Sequence, residues 1–586
     1  MIKLTIDNQP VEVPEGTTIL NAAKSVGIEI PTLCYFEEVS RIAACRVCVV
    51  EVEGAERLST SCNTVVREGM VVHTASERVI EARRVVVDLI RSQHEMNCGA
   101  CVRNQTCKLQ KLGRELGVLN SAYRKEVKQK AWDESFPLIR KESKCIKCMR
   151  CVQMCNNIQN VGIWDYVNSG GRTTVGVSGG RTIAESNCTA CGQCIMVCPV
   201  GALYERDDTA GVIAALDDPE LTVVAQINGT VAESWAQSVR LPDDLEPVAA
   251  LTQALHMAGF NYVFDMDVSV AVSIRESARE MKEILDSGDP NRFPLLSSGC
   301  PAWVRYVKGN FPVMTRCLSR VKSAQQIFGA LVKTDFARSI GVQPESIYCV
   351  NFTTCLSAKT ECALDTMKHN GVPDVDAAIT TRELIRLIRA RRINPFSLEG
   401  ESCDNFEDFD SVTPVRFKKF GGSLESSVRA LYGIEHEEEA PADMFRIVSH
   451  ENNVIESEFT LNGQTYTGAV VTTLGAASQL LQEVRSGRKM YHFIEVLACG
   501  DGCEGGGGQP LVEDGARHVK TADQTQFQLE GEDMARFGEG RIGLESIFMR
   551  NEGISERLVT DHLGWKLPVS PTAARDLLIR EEDDED

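Results

Sequence analysis

Glu495-Val496-Leu497-Ala498-Cys499-Gly500-Asp501-Gly502-Cys503-Glu504-Gly505-Gly506-Gly507-Gly508-Gln509-Pro510 carries two cysteines in one short loop, followed by a run of four glycines. Glycine lets backbone approach closely, so the run predicts main chain packed against something bulky. Two more cysteines stand in conspicuous surroundings. They are Cys300, in Ser297-Ser298-Gly299-Cys300-Pro301-Ala302-Trp303, and Cys355, in Thr353-Thr354-Cys355-Leu356-Ser357-Ala358-Lys359-Thr360-Glu361. Four thiolates from three distant loops suit one iron–sulfur cubane.

Working outward, the chain has 23 cysteines in 586 residues. Without a secretory signal, such a count points to metal rather than disulfides. Cys317, Cys349, Cys362 and Cys403 fall outside any motif and read as buried or incidental thiols. The other 19 fall into repeated spacings or conspicuous motifs. Cys34-x10-Cys45-x2-Cys48-x13-Cys62 suits a [2Fe–2S] cluster, two thiolates per iron, with structural zinc as the rival reading. His94-x3-Cys98-x2-Cys101-x5-Cys107 places an imidazole before a Cys-x2-Cys pair, where it can replace one thiolate on a [4Fe–4S] cluster. Cys145-x2-Cys148-x2-Cys151-x3-Cys155 is repeated as Cys188-x2-Cys191-x2-Cys194-x3-Cys198-Pro199. This is the two-cluster ferredoxin pattern, in which the fourth cysteine of each run ligates the other cluster. Cys145, Cys148, Cys151 and Cys198 are therefore expected on one cubane, and Cys188, Cys191, Cys194 and Cys155 on the other. The clusters in series form a wire, which implies a redox reaction at one end and an electron carrier at the other.

The bulk numbers exclude other classes. A formal net charge of −20 argues against nucleic acid as a partner. No run of about 18 apolar residues predicts a membrane span. Met1 to Asp7 alternates like a strand and lacks the apolar core of a secretory signal, so a cytoplasmic location is expected. The six acidic residues from Glu581 to Asp586 read as a solvated tail. Val11–Val13 is expected as a strand and Thr18–Ala23 as the start of a helix. From about residue 210, apolar runs such as Leu221–Ala225 and Ala469–Thr473 alternate with helical segments such as Arg275–Leu285 and Arg382–Arg391, which is α/β character. Glu435–Glu439 reads as an exposed loop.

These motifs carry a resemblance. The segment Ile30–Cys34 and the histidine-containing set are similar to modules of complex I and of large iron hydrogenases. The loops around Cys300, Cys355 and Cys499 resemble the three signature motifs of the [FeFe]-hydrogenases, T-S-C-C-P-x-W, M-P-C-x-x-K-x-x-E and E-x-M-x-C-x-x-G-C-x-x-G-G-G-Q-P. Lys322–Gln326 and Phe417–Gly422 also look like family segments. The resemblance implies a multidomain α/β chain. Its modules are a β-grasp [2Fe–2S] domain over 1–78, a one-histidine three-cysteine [4Fe–4S] domain over 79–118 and a two-[4Fe–4S] ferredoxin domain over 138–207. A two-lobed catalytic domain over 210–515 and a small-subunit-like region over 516–586 follow. It implies one [2Fe–2S], three [4Fe–4S] and an H-cluster, the last being a cubane on Cys300, Cys355, Cys499 and Cys503. By analogy Cys503 bridges to a two-iron site with CO, cyanide and an azadithiolate. The reaction implied is 2H⁺ + 2e⁻ ⇌ H₂.

The sequence departs from the family around that two-iron site. The family's relay cysteine is Gly299 here, and the glutamate after it aligns with Ser277. The outer relay is kept as Glu280 and Ser319. The lysine that contacts a cyanide is Ala358, with Lys359 one position late, and the methionine of the third motif is Leu497. Gln325, Glu361 and Phe417 are the remaining candidate site residues. One reading is an enzyme, slow or specialised, whose protons travel through water; another is a hydrogen sensor, since losing a positioned proton donor costs about 10²–10⁴-fold in rate. A third is a complex I-like electron-transfer subunit, which leaves the last four cysteines unexplained. Expected partners are ferredoxin, flavodoxin or NAD(P)-linked flavoprotein subunits, together with H-cluster maturation proteins. No flavin or nicotinamide site is evident in the sequence.

Overall fold

The computed structural model describes residues 1–118, 123, 131–170, 173–289, 292–406, 422–512 and 541–575. Near the N-terminus, alternating residues of Ile2–Ile6 and Gln9–Val13 bury Leu4, Ile6, Val11 and Val13 on one face. These strands open a five-stranded mixed sheet with Val71–His73, Val49–Val52 and Ser59–Thr60. The helix Ile19–Ser25 covers it, started by Thr18, whose hydroxyl accepts from the Asn21 N–H at 3.3 Å. The next stretch forms two helices, Glu77–Ser92 and Lys108–Glu115, with the cysteine loop between them.

The next module is two short cluster loops held by small antiparallel pairs, Leu138–Arg140 with Leu203–Glu205 and Trp164–Val167 with Thr174–Val177. Its two cysteine runs share a backbone device. Lys147 and Met149 in the first run, and Ala190 and Gly192 at the same places in the second, all have positive φ, between +53° and +74°. Left-handed residues alternating with right-handed ones turn backbone N–H groups toward one concavity, which suits an anionic cluster.

Two sheets build the catalytic half. One is fully parallel, ordered Tyr262–Asp265, Thr222–Ile227, Ile347–Thr353, Ala377–Thr380. Its strands are apolar runs buried on both faces by flanking helices. The other is ordered Leu295–Leu296, Phe493–Leu497, Gln464–Thr472, Val454–Leu461, Phe445–Glu451. Its first three strands run parallel and the last two add antiparallel. The long helix Asp267–Ser287 contributes to the cores of both sheets.

One expectation needs correcting here. The glutamate run at 435–439 does not begin as a loop. Glu435 lies inside the helix Gly422–His436 and pairs with Lys282 at 3.1 Å. Only the residues after His436 leave the helix.

Candidate metal centres

The four cysteines of the catalytic half come together because of where their strands end. Cys300 follows Leu295–Leu296, Cys355 follows Ile347–Thr353, and Cys499 and Cys503 follow Phe493–Leu497. These are the C-terminal ends of parallel strands from both sheets, the usual place for a ligand site in an open α/β sheet. Cys300 and Cys355 each sit just before a helix, Pro301–Asn310 and Ala358–Cys362. The N–H groups of Ala302 and Trp303 face the Cys300 sulfur, and those of Ser357 and Ala358 face Cys355. The thiols are close enough to act on one another electrostatically. Cys355, Cys300 and Cys503 all raise Cys499, after the larger effect of burial.

The glycine run explains itself in this geometry. A Cβ on Gly507 would lie 2.5 Å from the Gly192 Cα and 2.6 Å from the Cys191 carbonyl oxygen, so the catalytic loop touches the ferredoxin loop backbone to backbone. The side chain of Arg382 crosses the same junction, donating to the carbonyls of Gly507 (2.8 Å) and Gln509 (2.5 Å) and pairing with Glu205 at 2.8 Å. Cys191 is correspondingly within electrostatic reach of both Cys300 and Cys499.

Upstream, Cys148, Cys145, Cys198 and, least of these, Cys194 act on Cys151, whereas Cys191, Cys188 and Cys155 act on Cys194. Cys145, Cys148, Cys151 and Cys198 ring a cavity of about 400 Å³ walled by Trp164 and Leu203. Burial pushes Cys148, Cys155 and Cys188 up to about 12. They are neutral thiols without iron, so cluster assembly must release protons. In the first module the sulfurs of Cys48 and Cys62 lie 3.4 Å apart, and the Cys45 N–H points at Cys34 from 3.5 Å. His94 is held neutral by burial, which takes it down to about 4. Its Nδ1 lies 3.0 Å from the Lys144 carbonyl, which can only accept. Nδ1 therefore carries the proton and Nε2 is left with its lone pair, as a ligating imidazole requires. Among the described residues no three His, Cys, Asp or Glu side chains gather tightly enough for a single ion.

Comparison with known proteins decides the family. The description "Iron only hydrogenase large subunit, C-terminal domain" matches residues 221–507. The NADP-reducing hydrogenase subunit HndD of Solidesulfovibrio fructosivorans is 38% identical over 537 residues, covering 90% of this chain and 92% of that protein. The chain belongs to the [FeFe]-hydrogenase family. Iron hydrogenase 1 of Clostridium pasteurianum is 32% identical over 87% of this hydrogenase and 89% of its own length. A solved [FeFe]-hydrogenase shares the fold with a TM-score of 0.51 at 22% identity, over 62% of this chain and 99% of that one. In the N-terminal part, a [2Fe–2S] cluster-binding domain matches 1–77, the NADH-ubiquinone oxidoreductase-G iron–sulfur binding region 83–122, and a [4Fe–4S] dicluster domain 144–202. The hydrogenase is thus an oxidoreductase of multidomain α/β build with an iron–sulfur relay. The catalytic-domain match sets aside the pure electron-transfer reading.

The candidate relay positions have the following surroundings. Gly299 lines a cavity of about 500 Å³ together with Ser273, Ser277, Ser297, Ser298 and Ser319. A Cβ built on Gly299 meets nothing within 4 Å. At the cavity's far side the Ser319 hydroxyl donates to Glu280 at 2.5 Å. Glu280 is buried and also accepts from Arg320, whose guanidinium reaches the exposed Glu283 at 2.7 Å. Glu361 accepts from Ser323 at 2.6 Å and from Gln325, and burial raises it to about 7. Gln325 is oriented by Asn351, which donates to its oxygen at 2.8 Å.

Lys359 requires a correction. Its ammonium is committed to Asp208 at 2.6 Å and Glu383 at 2.8 Å, and is not offered to the cysteine site. The carbonyl of the neighbouring Ala358 accepts from Gln325 at 3.3 Å. Phe417 and Lys418–Gly421 lie outside the described residues. Two features escaped the sequence reading. Glu495, raised to about 7 by burial, accepts from the Leu424 N–H at 2.7 Å and so caps the helix Gly422–His436. Gln193, between two cluster ligands, reaches across to Cys499. Nothing in a single sequence signals a contact across 306 residues.

Proposed function

We propose that this chain interconverts dihydrogen with two protons and two electrons at an H-cluster whose cubane is held by Cys300, Cys355, Cys499 and Cys503. The N-terminal ligands, His94 among them, would hold one [2Fe–2S] and three [4Fe–4S] clusters, which would supply the electron relay. When bound, the two-iron part supplies the open metal position and the bridging amine at which H–H cleavage takes place. The observation that carries this reading is the convergence of four thiols from three strand ends, in backbone contact with the last ferredoxin loop.

The protein's own part is to hold the thiolates, exclude bulk solvent and move protons. Gly299 offers no proton carrier, but the serine-lined cavity beside it has room for water, and ordered water bridges polar groups nearly as well as a direct hydrogen bond. A proton crossing that cavity reaches Ser319 and is handed to Glu280, whose carboxylate Arg320 holds in place. Water held by hydroxyls is a less well-positioned donor than a thiol, so turnover is slow relative to family members that keep the relay cysteine. The similarity to HndD supports NADP-linked partner subunits as the electron acceptors, with ferredoxin or flavodoxin as the other candidates. Maturation proteins must supply the two-iron part. Among the described residues no helix is long and apolar enough to cross a membrane.

A sensory role is the second reading, favoured by Gly299 and Ser277 alone. Hydrogen evolution driven by reduced viologen, on anaerobic protein carrying a complete H-cluster, separates the two. Turnover near that of a relay-containing family member supports an enzyme with a working water path. Sustained turnover lower by orders of magnitude supports the slow, specialised enzyme, and CO and cyanide infrared bands that hydrogen shifts without measurable turnover support the sensor. If maturation yields no such bands at all, the hydrogenase reading of the site fails.

A further inference from the structure

Gln193 is the first residue of the short helix Gln193–Met196, between the ferredoxin ligands Cys191 and Cys194, and is 4% exposed. Its side chain nevertheless leaves its own cluster. The amide nitrogen Nε2 lies 3.2 Å from the Cys499 sulfur and 2.8 Å from the Gly505 carbonyl oxygen. A carbonyl oxygen and a thiolate both accept and cannot donate, so the amide is fixed with its NH₂ toward the catalytic loop. The two N–H bonds satisfy one partner each. Gly192, immediately before it, makes this reach possible. It has φ +74°, and a Cβ there would lie 2.8 Å from the Gly507 Cα. A third tie, from the Ser357 hydroxyl to the Thr189 carbonyl at 2.9 Å, joins the Cys355 loop to the same ferredoxin run.

The donors facing Cys300 and Cys355 are backbone N–H groups of those cysteines' own and neighbouring catalytic loops. At Cys499 the donor is a neutral side chain that belongs to the neighbouring cluster's loop. A donor to a ligating sulfur draws charge from the cluster and favours the reduced, more negative state. We propose that Gln193 is a positioning residue that raises the reduction potential of the Cys300–Cys355–Cys499–Cys503 cubane from within the ferredoxin loop. Electron transfer across the junction is thereby matched by a contact belonging to both sides. This rests on the proposed cubane, and the test keeps the two separable.

The measurement is a potentiometric EPR titration of the full chain expressed without the two-iron part. Cys499→Ala is titrated in parallel, and the signal it removes is assigned to the cubane. If no signal is lost, the cubane reading itself fails. Gln193→Met keeps the length and bulk of the side chain and removes both donors. At a fixed applied potential it should lower the cubane's reduced-to-oxidised ratio about tenfold, which for a one-electron couple is about 59 mV. Gln193→Glu keeps the shape and replaces a donor with a charge, so its shift should be in the same direction and larger. The signals that survive in Cys499→Ala should titrate unchanged in both variants. A cubane potential that stays put in Gln193→Met, with iron content intact, overturns the proposal. Equal shifts in all clusters overturn it too, because they mark a general disturbance of the fold.

Discussion

Gly299 is a residue whose missing side chain has a chemical consequence, and the surrounding space makes that consequence reversible. With nothing within 4 Å of its Cβ position, a thiol fits without repacking. Ser277 lines the same cavity, so Gly299→Cys with Ser277→Glu rebuilds an inner relay leading to the existing Ser319–Glu280 pair. A positioned proton carrier contributes about 10²–10⁴-fold. The double variant should therefore raise viologen-driven hydrogen evolution by about 10²-fold or more, and Gly299→Cys alone by less. Unchanged turnover in a fully loaded double variant would mean that proton delivery does not limit this hydrogenase. Lys359 leads to the opposite expectation. Its side chain is 1% exposed and neutralises Glu383, which is 0% exposed, so Lys359→Met strands a buried carboxylate. Breaking such a pair costs about 3–5 kcal/mol. The variant should melt markedly earlier, while the infrared bands of the two-iron ligands stay where they were. Shifted bands at unchanged stability would restore a role at the cluster.

At the scale of elements, the cluster loops were legible because their chemistry is local: ligands two or three residues apart sit in one turn, and the repeat at 145–155 and 188–198 gives two turns of the same left-handed geometry. The α/β character was legible for a similar reason, since strands buried on both faces show as apolar runs such as Thr222–Ile227. What was not legible is direction. Lys359 lies on the helix Ala358–Cys362, where one residue turns a side chain by about 100°, so a lysine one position late points elsewhere. Nor does the sequence show which glycine of the 505–508 run makes the close approach. The structure points to Gly507, against Gly192 and Cys191. In Gly507→Ala the added methyl must push the two loops apart, an overpacking that costs about 1–3 kcal/mol. It should weaken the EPR signal that Cys499→Ala removes before it weakens the ferredoxin signals. Loss of all signals together would instead make the junction part of one cooperative unit.

At the scale of the whole molecule, the C-terminal segment straps the proposed outer proton path. Its backbone pairs with the segment at 320–322 twice, Thr560 N–H to the Arg320 carbonyl at 2.7 Å and Lys322 N–H to the Leu558 carbonyl at 2.9 Å. His562 adds a side-chain tie, its Nε2–H donating to the Ser319 carbonyl at 2.9 Å, and its own carbonyl accepts from Lys308. Ser319 is thus held on one side by the strap and on the other by Glu280. Burial lowers His562 from 6.5 to about 4, with Lys308 acting in the same direction. The sign follows from linkage. The folded strap keeps this imidazole neutral, whereas the released strap binds a proton below about 6.5. The contribution of His562 is therefore complete above that pH and is lost as pH falls toward 4. At 1.36 kcal/mol per unit, its full extent is about 3 kcal/mol. Amide exchange over residues 558–564 should accelerate on going from pH 7.5 to pH 5, beyond the intrinsic pH effect on exchange and beyond any change in the parallel sheet. His562→Gln retains an N–H donor and does not titrate, so it should flatten that acid dependence without opening the strap at neutral pH. An equally steep acid response in His562→Gln would place the sensitive group elsewhere.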